Sequence, residues 1–396
     1  MVQTGLDVFF SERLSAFRGC RIGVVCHPAS VDSNLVHIVD RLCALGMRPA
    51  HLFGPEHGVR GEAQDMVGVQ EDVDRLTGIP VDSLYGHALE TLSPRIERLK
   101  SLDLLVVDLQ DVGSRYYTFI WTMALSLEAA AKAGVPVLVL DRPNPIGGEA
   151  LEGGAVDPGY ESFVGLGSLP VRHGLTIGEV ARLIQAGMPW SDGHFKAPLD
   201  VDLTVVPMRG WARSDYFETT GLPWVLPSPN MPTVETAVVY PGMCLVEGTL
   251  VSEGRGCTRP FEIFGAPYLD GYALAKHLGD LPGAHLRPLV FCPTFHKHAG
   301  KPCGGCQLHV TNRRVFQPYR TGIAILRALR AMYGGDFAWR TEAYEFVSDR
   351  LAIDLLTGNT RIREGIDQGA AFPDLVATFA SEEASFRERL RPHLLY

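Results

Sequence analysis

LDLLVVDLQDVGSRYYTFI, residues 102–120, holds the pattern on which the fold turns. Its first part, Leu102–Leu109, is almost wholly apolar, as a strand covered on both faces must be. The polar run that follows places Asp111, Arg115, Tyr116 and Tyr117 at a sheet edge. Upstream, Arg21–His27 (RIGVVCH) is a second β-rich run, Leu35–Leu45 has helical spacing, and Pro49–Phe53 reads as a short buried strand. Downstream, Ile120–Ala133 reads as a helix stopped by Gly134, and Val135–Leu140 (VPVLVL) as another buried strand. Thr176–Ala186 opens with Thr176 as N-cap and Glu179 three residues later, a capping box. Strands alternating with helices over short connections predict a right-handed parallel sheet, hence an α/β, Rossmann-like N-terminal domain. The residues after the first strand are CHPASVDSN, without GxGxxG, so no dinucleotide is expected.

The pattern changes near Gly221. The proline-rich segment GLPWVLPSPNMPT (221–233) suits neither a helix nor a central strand and reads as a rigid linker or a site wall. Beyond it lie TAVVYPGMCLVEG, the strand-like HLRPLVFCPTF, QLHVTN, the helix Gly322–Met332, and a surface helix over Phe372–Leu390. We therefore expect a domain over 1–225 and a smaller α+β domain over 226–396. Within 396 residues, 46% hydrophobic and 20% charged content supports a large core. A net charge of −9 with no Lys/Arg run argues against a nucleic-acid partner, and no apolar stretch is long enough to span a membrane. The first residues lack the pattern of a signal peptide, which predicts a cytoplasmic protein. Eight cysteines fit a reducing compartment. Cys303 and Cys306, in CGGC, read as incidental thiols of a glycine-rich hairpin, since no second CxxC accompanies them.

The chemistry candidates follow the strands. GPEHGVRGEAQ (54–64) delivers Glu56, His57, Arg60 and Glu62 onto a loop set by Gly54, Gly58 and Gly61. After Val135–Leu140, DRPNPIGG brings Asp141, Arg142 and Asn144 to the same edge, while the proline-rich segment supplies Ser228 and Asn230. Two glycine-set loops add Glu247, Glu253 and Arg255, then Thr258, Arg259 and Glu262. Each residue alone reads equally well as a helix cap or a surface ion pair. The repetition of polar, glycine-set loops after successive buried strands is what points to a ligand edge.

Together GPEHGVRGEAQ, DLQDVGSRYYTFI, LDRPNPIGG, VRHGLTIGE, LPWVLPSPNMPT and VSEGRGCTRPFE resemble the exo-β-N-acetylmuramidases of bacterial cell-wall recycling. The resemblance runs from about Gly5 to the C-terminal helix. It implies a Rossmann-like domain with a smaller partner domain and a cleft holding a catalytic glutamate, that of GPEHG, here Glu56. It also implies release of terminal N-acetylmuramic acid from the non-reducing end of peptidoglycan fragments; separately, no cofactor and no metal are expected. Glycosidic cleavage needs a proton donor and usually a second carboxylate, for which Glu62, Asp111, Glu253 and Glu262 are candidates, Asp111 and Glu253 foremost. The substrate's own acetamido group is an alternative nucleophile.

The lactyl carboxylate of muramic acid calls for a planar cation, so Arg60, Arg142, Arg255 and Arg259 are candidates. His57, Arg115, Tyr116, Asn144, His173 and Asn230 complete the expected binding set. Tyr117 and Trp224 are possible ring-stacking walls. The expected partner is a muropeptide-derived disaccharide or oligosaccharide. Two rival readings use the same residues: a metal-dependent hydrolase built on His57, His173 and Asp111, and a non-catalytic binder of muropeptides or sugar acids.

Overall fold

The computed structural model describes residues 1–61, 73–86, 89–191 and 193–396. Six strands form one sheet: β1 (Ile22–Cys26), β2 (His51–Gly54), β3 (Val81–Ser83), β4 (Leu104–Asp108), β5 (Val137–Leu140) and β6 (Leu203–Val206). Their order is β3-β2-β1-β4-β5-β6, and every pairing is parallel. The four central strands are buried along their whole length, which is why they read as continuous apolar runs rather than alternating ones. All strands end on one edge, and the order reverses between β1 and β4, where an open α/β sheet leaves its crevice.

The helices are α1 (Gly5–Val8), α2 (Ile38–Ala44), α3 (Ile96–Leu99), α4 (Phe119–Ala133), α5 (Ile177–Ala186) and α6 (Val234–Met243), followed by α7 (Gly271–Leu278), α8 (Pro318–Met332), α9 (Ala352–Thr357), α10 (Arg361–Asp367) and α11 (Phe372–Leu390). Helix α4 ends where expected, with Gly134 at φ 70°. The capping box at Thr176 and Glu179 forms as read from sequence. Helix α2 starts three residues later than its spacing predicts. Asp32 accepts the amides of Asn34 and Val36, Leu35 adopts φ 64°, and the helix begins only after His37.

A second, antiparallel sheet has the order β7-β9-β8, from β7 (Ile263–Ala266), β8 (Ala284–Phe291) and β9 (Cys303–Val310). Here CGGC lies in an arm of the antiparallel β8–β9 pair and not at its turn. It opens the central strand, with Cys303 and Cys306 buried and all eight cysteines free. A Cβ on Gly304 or Gly305 would fall 2.0 Å from the carbonyl oxygen of Leu269 or Phe264 respectively, so the glycines serve close backbone approach, not a turn. One hydrophobic cluster runs from Val25 and Phe53 through α4 and α5 into α6, α8 and α9, joining the large sheet to the C-terminal part. A second cluster fills the other face, under α1 and α2. Among the described residues no helix is long and apolar enough to cross a membrane.

Candidate active site

The end of β2 runs directly into Pro55-Glu56-His57-Gly58. The Gly58 amide donates to the Pro55 carbonyl (2.9 Å), closing a tight turn whose third residue, His57, sits at φ 75°. That position usually takes glycine, and a histidine there stores backbone strain of about 1–3 kcal/mol. The turn buries Glu56 in a small cavity, where Thr118 Oγ1 lies 3.4 Å from its Oε2.

Three parts of the chain meet at this cavity. The β4–α4 connection brings Tyr116, Tyr117 and Thr118; the proline-rich segment brings Ser228, Asn230 and Met231; the C-terminal part brings Glu247, Arg255, Tyr344 and Glu345. The proline-rich segment is thus a wall. Its Pro227 carbonyl accepts a hydrogen bond from His27 Nδ1 (3.2 Å), and His27 Nε2 accepts the Gln110 amide (2.8 Å). These contacts occupy the β1/β4 crevice. Tyr116 donates to the Pro241 carbonyl of α6, while burial pushes the Tyr117 phenol well above its usual range.

Glu247 is held on both oxygens: Arg255 Nη2 approaches Oε1 at 2.6 Å and the Tyr344 hydroxyl donates to Oε2 at 2.7 Å. The Arg255 guanidinium also lies 5.2 Å from the Phe261 ring. Glu345 and Phe346 form the two-residue tip of a turn with φ 46° and 69°, closed by reciprocal bonds between Tyr344 and Val347 (2.9 and 3.0 Å).

Several expected site residues stand elsewhere. Arg60 bridges Asp40 (2.9 Å) and Asp74 (3.1 Å), away from the cavity. Arg142 grips Asp108 with two nitrogens (2.5 and 2.8 Å) and so closes the end of β4. Arg115 is fully buried and donates to the carbonyls of Gly154, Leu169 and Leu356, stapling loops to the end of α9; burial lowers its pKa. Asn144 shapes its own turn through the Leu175 carbonyl and the Ile146 amide. Arg259 stands half exposed beside Glu262, which accepts from Thr236 at the start of α6.

Asp111 accepts the Gly113 amide (2.7 Å) and faces His173 Nε2 at 3.2 Å. His173 Nδ1 accepts the Leu175 amide, so its proton belongs on the nitrogen facing Asp111. Neither residue lines the cavity. Nor does Glu253, ringed by Lys297 (2.8 Å), His296 (3.0 Å) and Arg255 (3.4 Å); the Lys297 and Arg255 charges and the His296 hydrogen bond hold its carboxyl well below the usual range despite burial. Trp224 packs on Phe217 and donates to the Met231 carbonyl, outside the cavity. Glu62 lies outside the described residues. Among those described, no group of three or more His, Cys, Asp or Glu residues could hold a metal.

Sequence reasoning missed Glu345 and Tyr344 and left Glu247 without a role. The stretch AYEFVSD carries neither glycine nor asparagine, so nothing local announces a tight turn there.

The fold and site define a two-part α/β protein with an acid-lined cavity at the carboxyl edge of its parallel sheet. The exo-β-N-acetylmuramidase NamZ family models match residues 22–235 (N-terminal) and 238–396 (C-terminal). The peptidoglycan β-N-acetylmuramidase NamZ of Bacillus subtilis (strain 168) is 43% identical over 398 residues, covering 100% of this chain and 91% of that protein. Two crystal structures of DUF1343 family proteins from Bacteroides fragilis NCTC 9343 share the fold. One has a TM-score of 0.86 at 32% identity, the other 0.75 at 27%, each covering 100% of this chain and 99% of theirs. The chain belongs to the exo-β-N-acetylmuramidase NamZ family and is a glycoside hydrolase.

Proposed function

We propose that this enzyme releases terminal N-acetylmuramic acid from the non-reducing end of peptidoglycan-derived oligosaccharides, with Glu56 as general acid. The name of the Bacillus subtilis relative supplies the polymer and the sugar. The observation that carries the residue assignment is the turn at the end of β2: it holds a buried glutamate in the cavity on a backbone that would more readily take glycine. Glu56 gives its proton to the glycosidic oxygen as the bond to the anomeric carbon breaks, so the leaving sugar departs as an alcohol. Arg255 reads the lactyl carboxylate. Of the four candidate arginines it alone lines the cavity, whereas Arg60 and Arg142 serve other carboxylates and Arg259 stands outside.

The test is release of muramic acid from an unactivated disaccharide by wild type and Glu56→Gln. Glutamine keeps the shape and lacks the proton, so turnover falls about 10²–10⁴-fold while substrate binding persists. Near-normal turnover by the variant on the disaccharide overturns the assignment.

A further inference from the structure

The reading of Glu56 as proton donor leaves a second requirement, and the following inference rests on that reading. When the glycosidic bond breaks, its electron pair stays with the leaving oxygen, so the anomeric carbon needs a pair from the opposite face. A carboxylate usually provides or directs it. Asp111 and Glu253 are engaged away from the cavity, and Glu262 accepts from Thr236 (2.7 Å) and Thr233 (3.3 Å) at the start of α6. Besides Glu56, the carboxylates lining the cavity among the described residues are Glu247 and Glu345. Glu247 has one oxygen on Arg255 and the other on Tyr344, an arrangement suited to holding the arginine in place.

We propose that Glu345 is the second catalytic carboxylate. Its turn is built at a cost. A two-residue connection with both tips at positive φ strongly favours Asn-Gly, yet this one carries Glu345 (46°) and Phe346 (69°). Such a backbone persists only where its surroundings over-determine it, and strained positions of this kind gather at active sites. The surroundings are visible. The Phe346 ring packs edge-on to Tyr85 (5.9 Å), and the Tyr85 hydroxyl reaches Glu345 Oε2 at 3.5 Å. Glu56 is presented in the same way, one residue ahead of His57 at φ 75°. Two carboxylates from opposite ends of the chain thus enter one cavity, each on a turn that glycine would take more cheaply.

In the step assigned to it, Glu345 works on the face of the anomeric carbon away from the leaving oxygen. Its carboxylate bonds to that carbon, or accepts the proton of a water that does, as the leaving oxygen takes its proton from Glu56. In the first route a later water gives a proton back to Glu56 and displaces Glu345. In the second route solvent carries the proton taken by Glu345 back to Glu56, so both routes end with one water consumed, the sugar released and both carboxyl groups restored.

The experiment compares Glu345→Ala, Glu345→Gln and Glu56→Gln in the full-length enzyme. The substrates are an unactivated disaccharide and an aryl β-N-acetylmuramide with a good leaving group, the latter with and without azide. Glu345→Ala is expected to lose at least 100-fold in kcat on both substrates. Azide restores the aryl reaction and gives a glycosyl azide of opposite anomeric configuration, because the small anion enters where the carboxylate acted. Glu56→Gln loses far more on the disaccharide than on the aryl glycoside. A purely structural Glu345 yields no azide product. A folded Glu345→Ala without that product, or one within tenfold of wild type, overturns the proposal. Should the alanine variant not fold, the isosteric Glu345→Gln decides: unchanged kcat overturns the proposal, while a loss of at least 100-fold at near-normal KM on both substrates supports it. Equal losses by Glu56→Gln on both substrates remove the general-acid reading alone, since the azide product reports on Glu345 independently.

Discussion

Arg255 and Glu253 are neighbours two residues apart whose surroundings give them different work. Arg255 lines the cavity with its guanidinium steadied by Glu247 and Phe261. A charge-assisted contact from it to the lactyl carboxylate is worth about 1.5–3 kcal/mol, or about 10–150-fold in kcat/KM. Arg255→Ala is therefore expected to cut activity on a muramic substrate by that factor while sparing residual hydrolysis of the N-acetylglucosamine analogue. Parallel loss on both substrates means that the arginine serves the shared ring or the fold. Glu253 faces Lys297 and Arg255, two cations, with the His296 ring beside it, and its carboxyl is held ionised. Removing its charge strands both cations, and breaking such a buried set typically costs about 3–5 kcal/mol. Glu253→Gln should thus lower the denaturant midpoint sharply, with kcat per folded molecule little changed; the reverse outcome restores Glu253 to the chemistry.

Among the elements, the crossing of α6 and α8 rests on close backbone approach within the C-terminal part. A Cβ on Gly242 would lie 1.8 Å from the Pro318 carbonyl oxygen, and one on Gly322 would lie 2.3 Å from that of Gly242. Helix α6 carries Tyr240 into the cavity and offers the Pro241 carbonyl to Tyr116, so separating the helices also disturbs the wall opposite Glu56. Gly322→Ala is expected to cost about 1–3 kcal/mol or more by overpacking and to reduce kcat. Denaturant unfolding and steady-state rates check the two effects separately. Strand β9 offers the contrasting case. Cys303 and Cys306 are buried, and burial pushes both thiols up to about 11, so neither is poised as a thiolate. Replacing both with alanine should leave activity unchanged and independent of reductant; a reductant-dependent wild-type rate contradicts this.

The whole molecule responds to pH through imidazoles buried neutral. His27 accepts from the Gln110 amide and donates to Pro227, and burial lowers its pKa from 6.5 to about 3; the same cause takes His37 to about 4. A lowered folded pKa means that the unfolded chain binds the proton first. Stability from each is therefore present above pH 6.5 and is lost as pH falls from there toward the folded value. Between pH 6.5 and 4.5 that amounts to about 2–3 kcal/mol for His27. Asp141 works the other way, because burial raises it from 3.8 to about 6 and its contribution declines as pH rises through that interval. Two histidines outweigh one aspartate, so the urea midpoint should fall on acidification to pH 4.5. His27→Gln, though less stable at neutral pH, should show a shallower decline; an identical slope refutes the assignment.

The apolar runs Ile22–Cys26, Leu104–Asp108 and Val137–Leu140 declared a parallel sheet, because only strands covered on both faces can afford such composition. Thr176 and Glu179 likewise announced their helix, since a capping box is made within four residues. Glu56 was legible as well: glycines flanking an acid just after a strand are local marks of a loop at the sheet edge. What needed the tertiary structure was partnership. Arg60, Arg142 and Arg255 look alike in sequence, yet Asp40 and Asp74 claim the first, Asp108 the second, and the cavity the third. Glu345 carries no local mark, because its turn is imposed by Tyr85 and the packing of distant segments rather than by its own residues. Short-range periodicity and capping are properties of the chain and determine its elements. Which charged groups meet across 14 to 289 residues is decided only when the core brings those segments together.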